Sequence, residues 1–522
     1  VTSYLVEPFS DEERALLAQH FSTVQGQVFS LINLEEEVKA ALFARYSRSA
    51  KSLRRVFLDE FADGSHTGRV VGSRHATELI NRVIGEYGDD SVAQLGVIHL
   101  GVEQVSTYLT RVIERGRLMA YLEKSTRYVS VADRRQDGSD QVVVPRELDG
   151  TLRESYLSLS RELISIYERV RAAALAELQR HVKDDSSGAQ SRALRAAALD
   201  AARMILPVGT MTNVGIVANA QSLEYLILRL RAQEDAETRE VAELLSQEAR
   251  RHFPALTGRL NRTDRGGATT AYLETTRFAA RREVRMETSE SPGFCPQDIE
   301  VRLVDFDPGG DDEVLCWIAF ECGVGSIDSV RKWVGGLDAS SRDSLFGAYV
   351  GERSNRRLRP GRAFEMVNYT FEVVCDFASL RDLGRHRLLT IMSQDFGPEE
   401  GFVSDPMWAT VGLEEVVYQA FARAVVLYRQ IEGVYGAGVA RLILPLAFRS
   451  RNVFKVNARE LMHLCELRSQ PQGHPGYRRI AIEMYRAIDQ IPAHKLIASS
   501  FLHVDSGYYE AGRIGAERRS RP

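Results

Sequence analysis

Three adjacent basic side chains, Arg385, His386 and Arg387, stand inside "RDLGRHRLLTIMSQDF" in the second half of this 522-residue chain. Like charges repel, so such a cluster is expected to face an anion or a polar ring system. Guanidinium groups offer fixed forks of N–H donors that suit carboxylates, phosphates and the electron-rich edges of heterocycles. A solvated basic turn is the competing reading. The apolar neighbours Leu383, Leu388, Leu389, Ile391 and Met392 speak instead for a mostly buried helix. The first half holds a second set, Glu123, Ser125, Arg127 and Tyr128, in "ERGRLMAYLEKSTRYV". A serine hydroxyl two residues from an arginine makes a compact phosphate cradle. Taken alone, the stretch also reads as a strand with ordinary surface polar groups. Arg468 ends "ARELMHLCELR", where a helix dipole favours any cation. His463, Cys465 and His474 are metal-capable, but His463 and Cys465 would not share a helix face and the spacing matches no ligand pattern, so no metal site is expected. No phosphate-binding P-loop, no G-x-G-x-x-G after a strand and no G-x-S-x-G elbow occurs.

The elements that must position these groups repeat. "ARMILPVGTMTNVGIVANA" runs from Ala202 and "ARLILPLAFRSRNVFKVNA" from Ala440; both read A-R-x-I-L-P, and both reach Asn-Ala sixteen residues after the arginine. Arg203 to Asn219 therefore repeats as Arg441 to Asn457, and an Arg-x-Arg lies upstream of each, Arg115/Arg117 and Arg385/Arg387. We read an ancient tandem duplication. The expected organisation is a domain over 1–262, a linker with one short helix over 263–294, and a second domain over 295–522. The polar, Gly-Gly and Ser-Pro bearing composition of the middle segment sets its limits. "KDDSSGAQS", 183–191, reads as a surface loop between helices. Helical spacing of apolar residues marks "LSLSRELISIYERVRAAALAELQRHV" and "LEEVVYQAFARAVVLYRQIEGV". "FEMVNYTFEVVCDF" alternates as a strand with one slip and leads into "ASLRDLGRHRLLTIM", which is expected to be a helix carrying Arg385–Arg387. Each half is expected to be α+β, with helices on an antiparallel sheet.

Net charge is −4, so any affinity for phosphate must come from local arginine clusters. Hydrophobic residues make up 44% and charged residues 26%, a balance that supplies sizeable cores. Five scattered cysteines without a C-x-x-C pair fit free thiols in a reducing compartment. No long apolar run and no leader pattern are found, and the expectation is a cytoplasmic protein that binds neither membrane nor nucleic acid.

Together these motifs resemble the flavin-dependent (alternative) thymidylate synthase family, whose signature is R-H-R-x-x-S-x-N-E-x-S-x-R followed by Tyr, with R-x-x-L-P and N-A-R…L-R further on. The resemblance covers most of the second half and, more weakly, most of the first. The second half keeps Arg385-His386-Arg387, Arg441, Asn457, Ala458, Arg459, His463 and Arg468, but has Thr390, Met392, Ser393, Asp395 and Gly397 at the other signature positions. The first half has Gly116 in place of the histidine, yet keeps Glu123, Ser125, Arg127 and Tyr128 in register, behind a lead-in "DDSVAQ" with Gln94 where the family has Glu. The losses are complementary. By resemblance, Glu123, Ser125, Arg127, Arg441 and Arg468 would bind the nucleotide, and Arg468 would be catalytic by polarising the ring. Arg385, His386, Arg387, Asn457 and His463 would contact FAD. The implied reaction is reductive methylation of dUMP to dTMP with methylenetetrahydrofolate, FAD and NADPH, at a composite site of one first half and one second half. A homodimer forming a pseudo-tetramer is implied as well. Another reaction on the same fold, or a non-catalytic nucleotide- or flavin-binding protein, is the alternative.

Overall fold

The computed structural model describes residues 7–62, 72–82, 91–131, 140–180, 189–284 and 293–507. Two compact units are present. One comprises Val1–Glu103, Leu118–Glu123 and Asn213–Met286, the other Gln104–Arg117, Lys124–Thr212 and Glu287–Pro522. Within the second unit, helices Thr107–Ile113, Gly150–Arg180 and Ala189–Arg203 come from the first half of the sequence. No helix among the described residues is long and apolar enough to cross a membrane.

The repeat is visible as repeated topology. Strands β1 (Val97–Ser106), β2 (Met119–Glu123) and β3 (Met211–Asn219) form a sheet in the order β1-β3-β2. Strands β4 (Glu300–Phe306), β5 (Asn368–Asp376), β6 (Thr390–Ser393) and β7 (Arg449–Asn457) form a second in the order β4-β5-β7-β6. The order β5-β7-β6 is that of β1-β3-β2, and the fold is α+β with two antiparallel sheets packed with helices. Matching strands end in matching caps. Ser106 Oγ accepts from Leu109 N (3.0 Å) after β1, and Asp376 Oδ1 from Ser379 N (2.7 Å) after β5. Asn219 Oδ1 accepts from Ser222 N (2.8 Å) after β3, and Asn457 Oδ1 from Glu460 N (2.9 Å) after β7. Each side chain satisfies a backbone donor that the first helical turn leaves open.

The helix expected to carry Arg385–Arg387 stops sooner. It spans Phe377–Leu383, and Gly384 N closes its last turn on Leu380 O at 2.9 Å. Two tight turns follow, His386 N to Leu383 O (3.2 Å) and Leu389 N to His386 O (3.1 Å), before β6 pairs with β7 from Thr390↔Lys455 onward. Glycine weakens helix propagation, and the β-branched Thr390 and Ile391 gain ladder pairing instead. In "FEMVNYTFEVVCDF" the slip is a 3₁₀ turn, Arg362–Glu365, ahead of β5. The segment expected to be a linker with one short helix contains a 16-residue helix, Ala268–Glu283, which follows a turn at Thr263–Gly267. Asp89 and Asp90 of the "DDSVAQ" lead-in and residues 183–188 of the expected loop lie outside the described residues.

Within the second unit the two I-L-P motifs meet. Pro207 pairs antiparallel with Pro445, its repeat equivalent. Val208 N bonds Leu444 O (2.8 Å) and Leu446 N bonds Leu206 O (2.8 Å), as a local two-fold requires. Helices Gly150–Arg180 and Glu414–Tyr435, also repeat equivalents, pack together over this seam in one core with Tyr156, Leu163, Phe421 and Ile431. A Cβ on Gly209 would stand 2.5 Å from Tyr156 Oη and 2.7 Å from Leu442 O. Gly209→Ala is therefore expected to destabilise the unit by about 1–3 kcal/mol, read from the urea midpoint, because a backbone carbonyl must give way. An unchanged midpoint would show that the seam is loose.

Candidate functional site

Helix Ala458–Arg468 leaves the end of β7 through the Asn457 cap, and its last residue is Arg468. Arg468 Nε donates to His386 Nε2 at 2.9 Å, so that nitrogen carries no proton. The proton sits on Nδ1, which faces Glu460 Oε1 at 2.9 Å. His386 is 6% exposed; burial, then Arg468 and Arg385, hold its imidazole well below the ordinary histidine range. The histidine is uncharged. Arg385 pairs with Asp382 at 2.8 Å, and Arg387 is exposed. The three adjacent residues thus do three different things and do not form one donor array.

The first-half motif supplies the next group. Past β2 the chain turns, and Ser125 Oγ accepts from Arg127 N at 3.2 Å. Arg127 is 8% exposed and forks onto Asp200, Nε to Oδ1 at 2.6 Å and Nη2 to Oδ2 at 2.8 Å. Its Nη1 donates to Tyr477 Oη (2.9 Å) and its Nη2 also to Gln472 O (2.9 Å). Tyr477 lies near the start of helix Pro475–Asp489. The guanidinium carbons of Arg127 and Arg468 lie 5.7 and 5.5 Å from its ring centre. The arginine of the first half's S-x-R and the arginine that ends the second half's helix share one tyrosine.

Beside them is a buried ionic cluster. Arg203 is 0% exposed; its Nη2 reaches Asp382 Oδ2 at 3.2 Å, while Nε and Nη1 have no hydrogen-bond partner among the described residues. Burial alone would push the Asp382 carboxyl up; Arg203, Arg385, Arg381 and Arg127 outweigh it and hold the group well below the usual carboxylate range. His474 caps helix Pro475–Asp489 through Nδ1, which accepts from Gly476 N (3.1 Å), so Nε2 bears the proton and has no hydrogen-bond partner among the described residues. Burial pushes His474 down to about 3. Arg381 Nη2 donates to Thr126 Oγ1 at 2.9 Å. Arg127, Arg203, Arg381, Arg385 and Arg468 face Asp200, Asp382, Asp376 and Glu460, and burial pushes the last two carboxyls up. Positive charge is in excess, and the open hydrogen-bonding positions on Arg203 and His474 are donors. Such a set suits an anion.

The other expected residues are placed as follows. Glu123 closes β2 in the first unit and is buried. Arg441 packs over the Tyr108 ring at 4.9 Å, bonds that tyrosine's hydroxyl and donates to Ala437 O at 3.0 Å. Its repeat equivalent Arg203 is the one that joins the cluster. Asn457 uses its side-chain oxygen as a helix cap. His463 lies beside His386, ring centres 5.5 Å apart and planes tilted by 57°, with Arg359 Nη2 3.4 Å from its Nε2; burial pushes it down to about 4. His386, Glu460 and His463 bring possible metal ligands within 4.8 Å of one another. Arg468 and Arg359 hold the imidazole Nε2 positions, however, and cations there oppose a further cation. Sequence reasoning missed Asp200, Asp382, Glu460 and Tyr477. Asp200 and Asp382 each precede an arginine of interest by three residues, a spacing that could have flagged them. Tyr477 carries no such signal.

The family model described as thymidylate synthase complementing protein matches residues 31–255 and 335–492. A "UPF0159 protein" of Chlamydia muridarum (strain MoPn / Nigg) is 31% identical over 540 aligned residues, covering 98% of this chain and 98% of that protein. A flavin-dependent thymidylate synthase of Thermococcus onnurineus (strain NA1) is 27% identical over 176 residues, covering 33% of this chain and 61% of that protein. Among solved structures, the UMP/dUMP methylase PolB of Streptomyces cacaoi bound with 5-Br dUMP aligns with a TM-score of 0.33 at 22% identity, over 40% of this chain and 98% of that one.

Proposed function

This chain belongs to the thymidylate synthase complementing protein family, and from that premise we propose that it methylates the uracil ring of dUMP at a site composed of both halves. The observation that carries the reading is the meeting of Arg127 and Arg468 on Tyr477. Each arginine comes from the half that retains the matching part of the motif. Arg468 is the catalytic residue: a guanidinium at the uracil edge stabilises negative charge as it develops on the ring. Ser125 and Arg127 serve the nucleotide phosphate, and Arg203, the repeat equivalent of Arg441, adds buried N–H donors beside them. Glu123 and Arg441 remain proposed nucleotide contacts by motif alone.

FAD is the cofactor of this reading, and the donor set fits it in part. Exposed Arg387, with Arg385 and the amide of Asn457, offers N–H donors for pyrophosphate oxygens and ring carbonyls. His386 does not fit that task in this arrangement, since both ring nitrogens are engaged within the protein. When bound, FAD reduced by NADPH supplies the hydride, and methylenetetrahydrofolate supplies the carbon. The chain's own part is to bind, orient and polarise.

One observation favours a second reading. Asp200 fills the Arg127 fork that a phosphate would use. A related flavoenzyme running another one-carbon reaction on a substrate without that phosphate would have no need to displace it; one acting on another nucleotide would need to displace it as dUMP does.

Purified protein is expected to be yellow with flavin absorbance, to oxidise NADPH faster when dUMP is added, and to form dTMP with methylenetetrahydrofolate. Colourless protein that takes up no FAD would overturn both readings. Bound flavin without dTMP would select the second.

A further inference from the structure

An arginine that ends a helix is a poor catalytic tool unless something aims it. Its long side chain has many rotamers to lose, and a productive group must be held to within roughly 0.5 Å. We propose that Arg468 is aimed by a two-armed brace, with Glu460 acting through His386 and Tyr477 acting through its ring as positioning residues. This rests on the reading of Arg468 as the group that polarises the uracil.

The first arm fixes the Nε edge. His386 accepts from Arg468 Nε at 2.9 Å, which it can do only while its proton is on Nδ1. Glu460 Oε1, 2.9 Å from Nδ1, holds the proton there. Glu460 is itself fixed in the first turn of the helix that ends at Arg468, its N–H bonded to Asn457 Oδ1 at 2.9 Å. Both ends of the arm therefore belong to one rigid element, with the His386 turn clamped between them. A protonated His386 would repel the guanidinium; burial and the neighbouring arginines keep it neutral.

The second arm fixes the plane. The Arg468 guanidinium lies over Tyr477, its carbon 5.5 Å from the ring centre. Tyr477 is held in turn by Arg127 Nη1 at 2.9 Å, and Arg127 by its fork on Asp200. With Nε and one face committed, the terminal edge of the guanidinium is what a ligand meets. The first half's arginine thus acts on the second half's arginine through a shared ring.

The test uses the full chain, with dUMP as the probe. Two-bond ¹⁵N–¹H correlation spectra should show His386 neutral at pH 7 with its proton on Nδ1, and Arg468 Nε–H should exchange slowly. These signals do not depend on methyl transfer, so they judge the brace even if no dTMP is made. In the assay, Glu460→Leu and Tyr477→Leu should each lower kcat by about tenfold or more with a smaller change in KM. Glu460→Gln, which keeps an acceptor for Nδ1–H, should stay within about threefold of the parent, and Tyr477→Phe, which keeps the ring face but loses the hydroxyl held by Arg127, should fall between the parent and Tyr477→Leu. A proton on His386 Nε2, an imidazolium at pH 7, or unchanged kcat in both leucine variants would overturn the proposal. Equal losses in the conservative and the leucine variants would reduce both residues to ordinary structural roles and overturn it as well.

Discussion

Arg468→Ala is expected to cut dTMP formation from dUMP by roughly 10²- to 10³-fold, the usual cost of removing one preorganised donor from a developing anion. The expectation rests on where the guanidinium stands. It is partly buried at the end of a capped helix, bonded to a neutral histidine and stacked on a tyrosine, so its charge acts in a medium poor in water. Burial, with help from Arg385, lowers its pKa, which marks how strongly this place resists a cation that has no anion beside it. A ligand with negative charge at that edge relieves the cost. Arg468→Lys should recover little, because an ammonium cannot be held by Nε and offer a planar edge together. Steady-state kinetics of the alanine and lysine variants check this. Full activity in Arg468→Ala would remove the residue from the chemistry.

The second large effect concerns stability. Asp382→Ala is expected to destabilise the second unit by about 3–5 kcal/mol, since it leaves the wholly buried Arg203 without its carboxylate. Arg203 is wholly buried, and among the described residues Asp382 is the one carboxylate hydrogen-bonded to it. The pH dependence has a definite sign. The folded-state carboxyl is held well below its ordinary range, so its contribution is complete above the unfolded value near 3.9 and is lost as pH falls through the folded value. In urea titrations the gap between parent and Asp382→Ala should be widest at neutral pH and shrink progressively below about pH 4. A gap independent of pH would mean that the carboxylate's charge contributes nothing.

Much of this was legible in the sequence, and the limits have physical causes. The duplicated A-R-x-I-L-P…N-A could be read because both copies keep the same spacing, and the pairing of Pro207 with Pro445 shows the two motifs in contact. The caps at Asn219 and Asn457 follow from the same repeat. The helix expected across Arg385–Arg387 was misread because apolar spacing continued past Gly384, whereas the strand partner that captures Thr390 lies at Lys455. The burial of Arg127 against Asp200, and its bond to Tyr477, join residues 73 and 350 positions apart. Local periodicity holds no information about such pairs. Charge sign misled as well: a basic tripeptide suggested three cations, but burial and three neighbouring arginines, Arg468, Arg385 and Arg359, leave His386 neutral.

The pairing of Pro207 with Pro445 also sets a timetable for the ribosome. These residues are 238 positions apart in the chain. At roughly 5–20 residues per second, synthesis reaches the second I-L-P motif about 12–48 s after the first. During that interval the residues of helix Gly150–Arg180, and of Ala189–Arg203, which packs on it in the finished fold, have already been synthesised. The face that will bury Tyr156, Leu163, Ile166 and Tyr167 still awaits helix Glu414–Tyr435. A dimer of separate half-length chains would wait for an encounter that depends on concentration. Here the delay is fixed by translation speed, and the nascent chain must keep an apolar helical hairpin out of wrong associations until its own second copy is made.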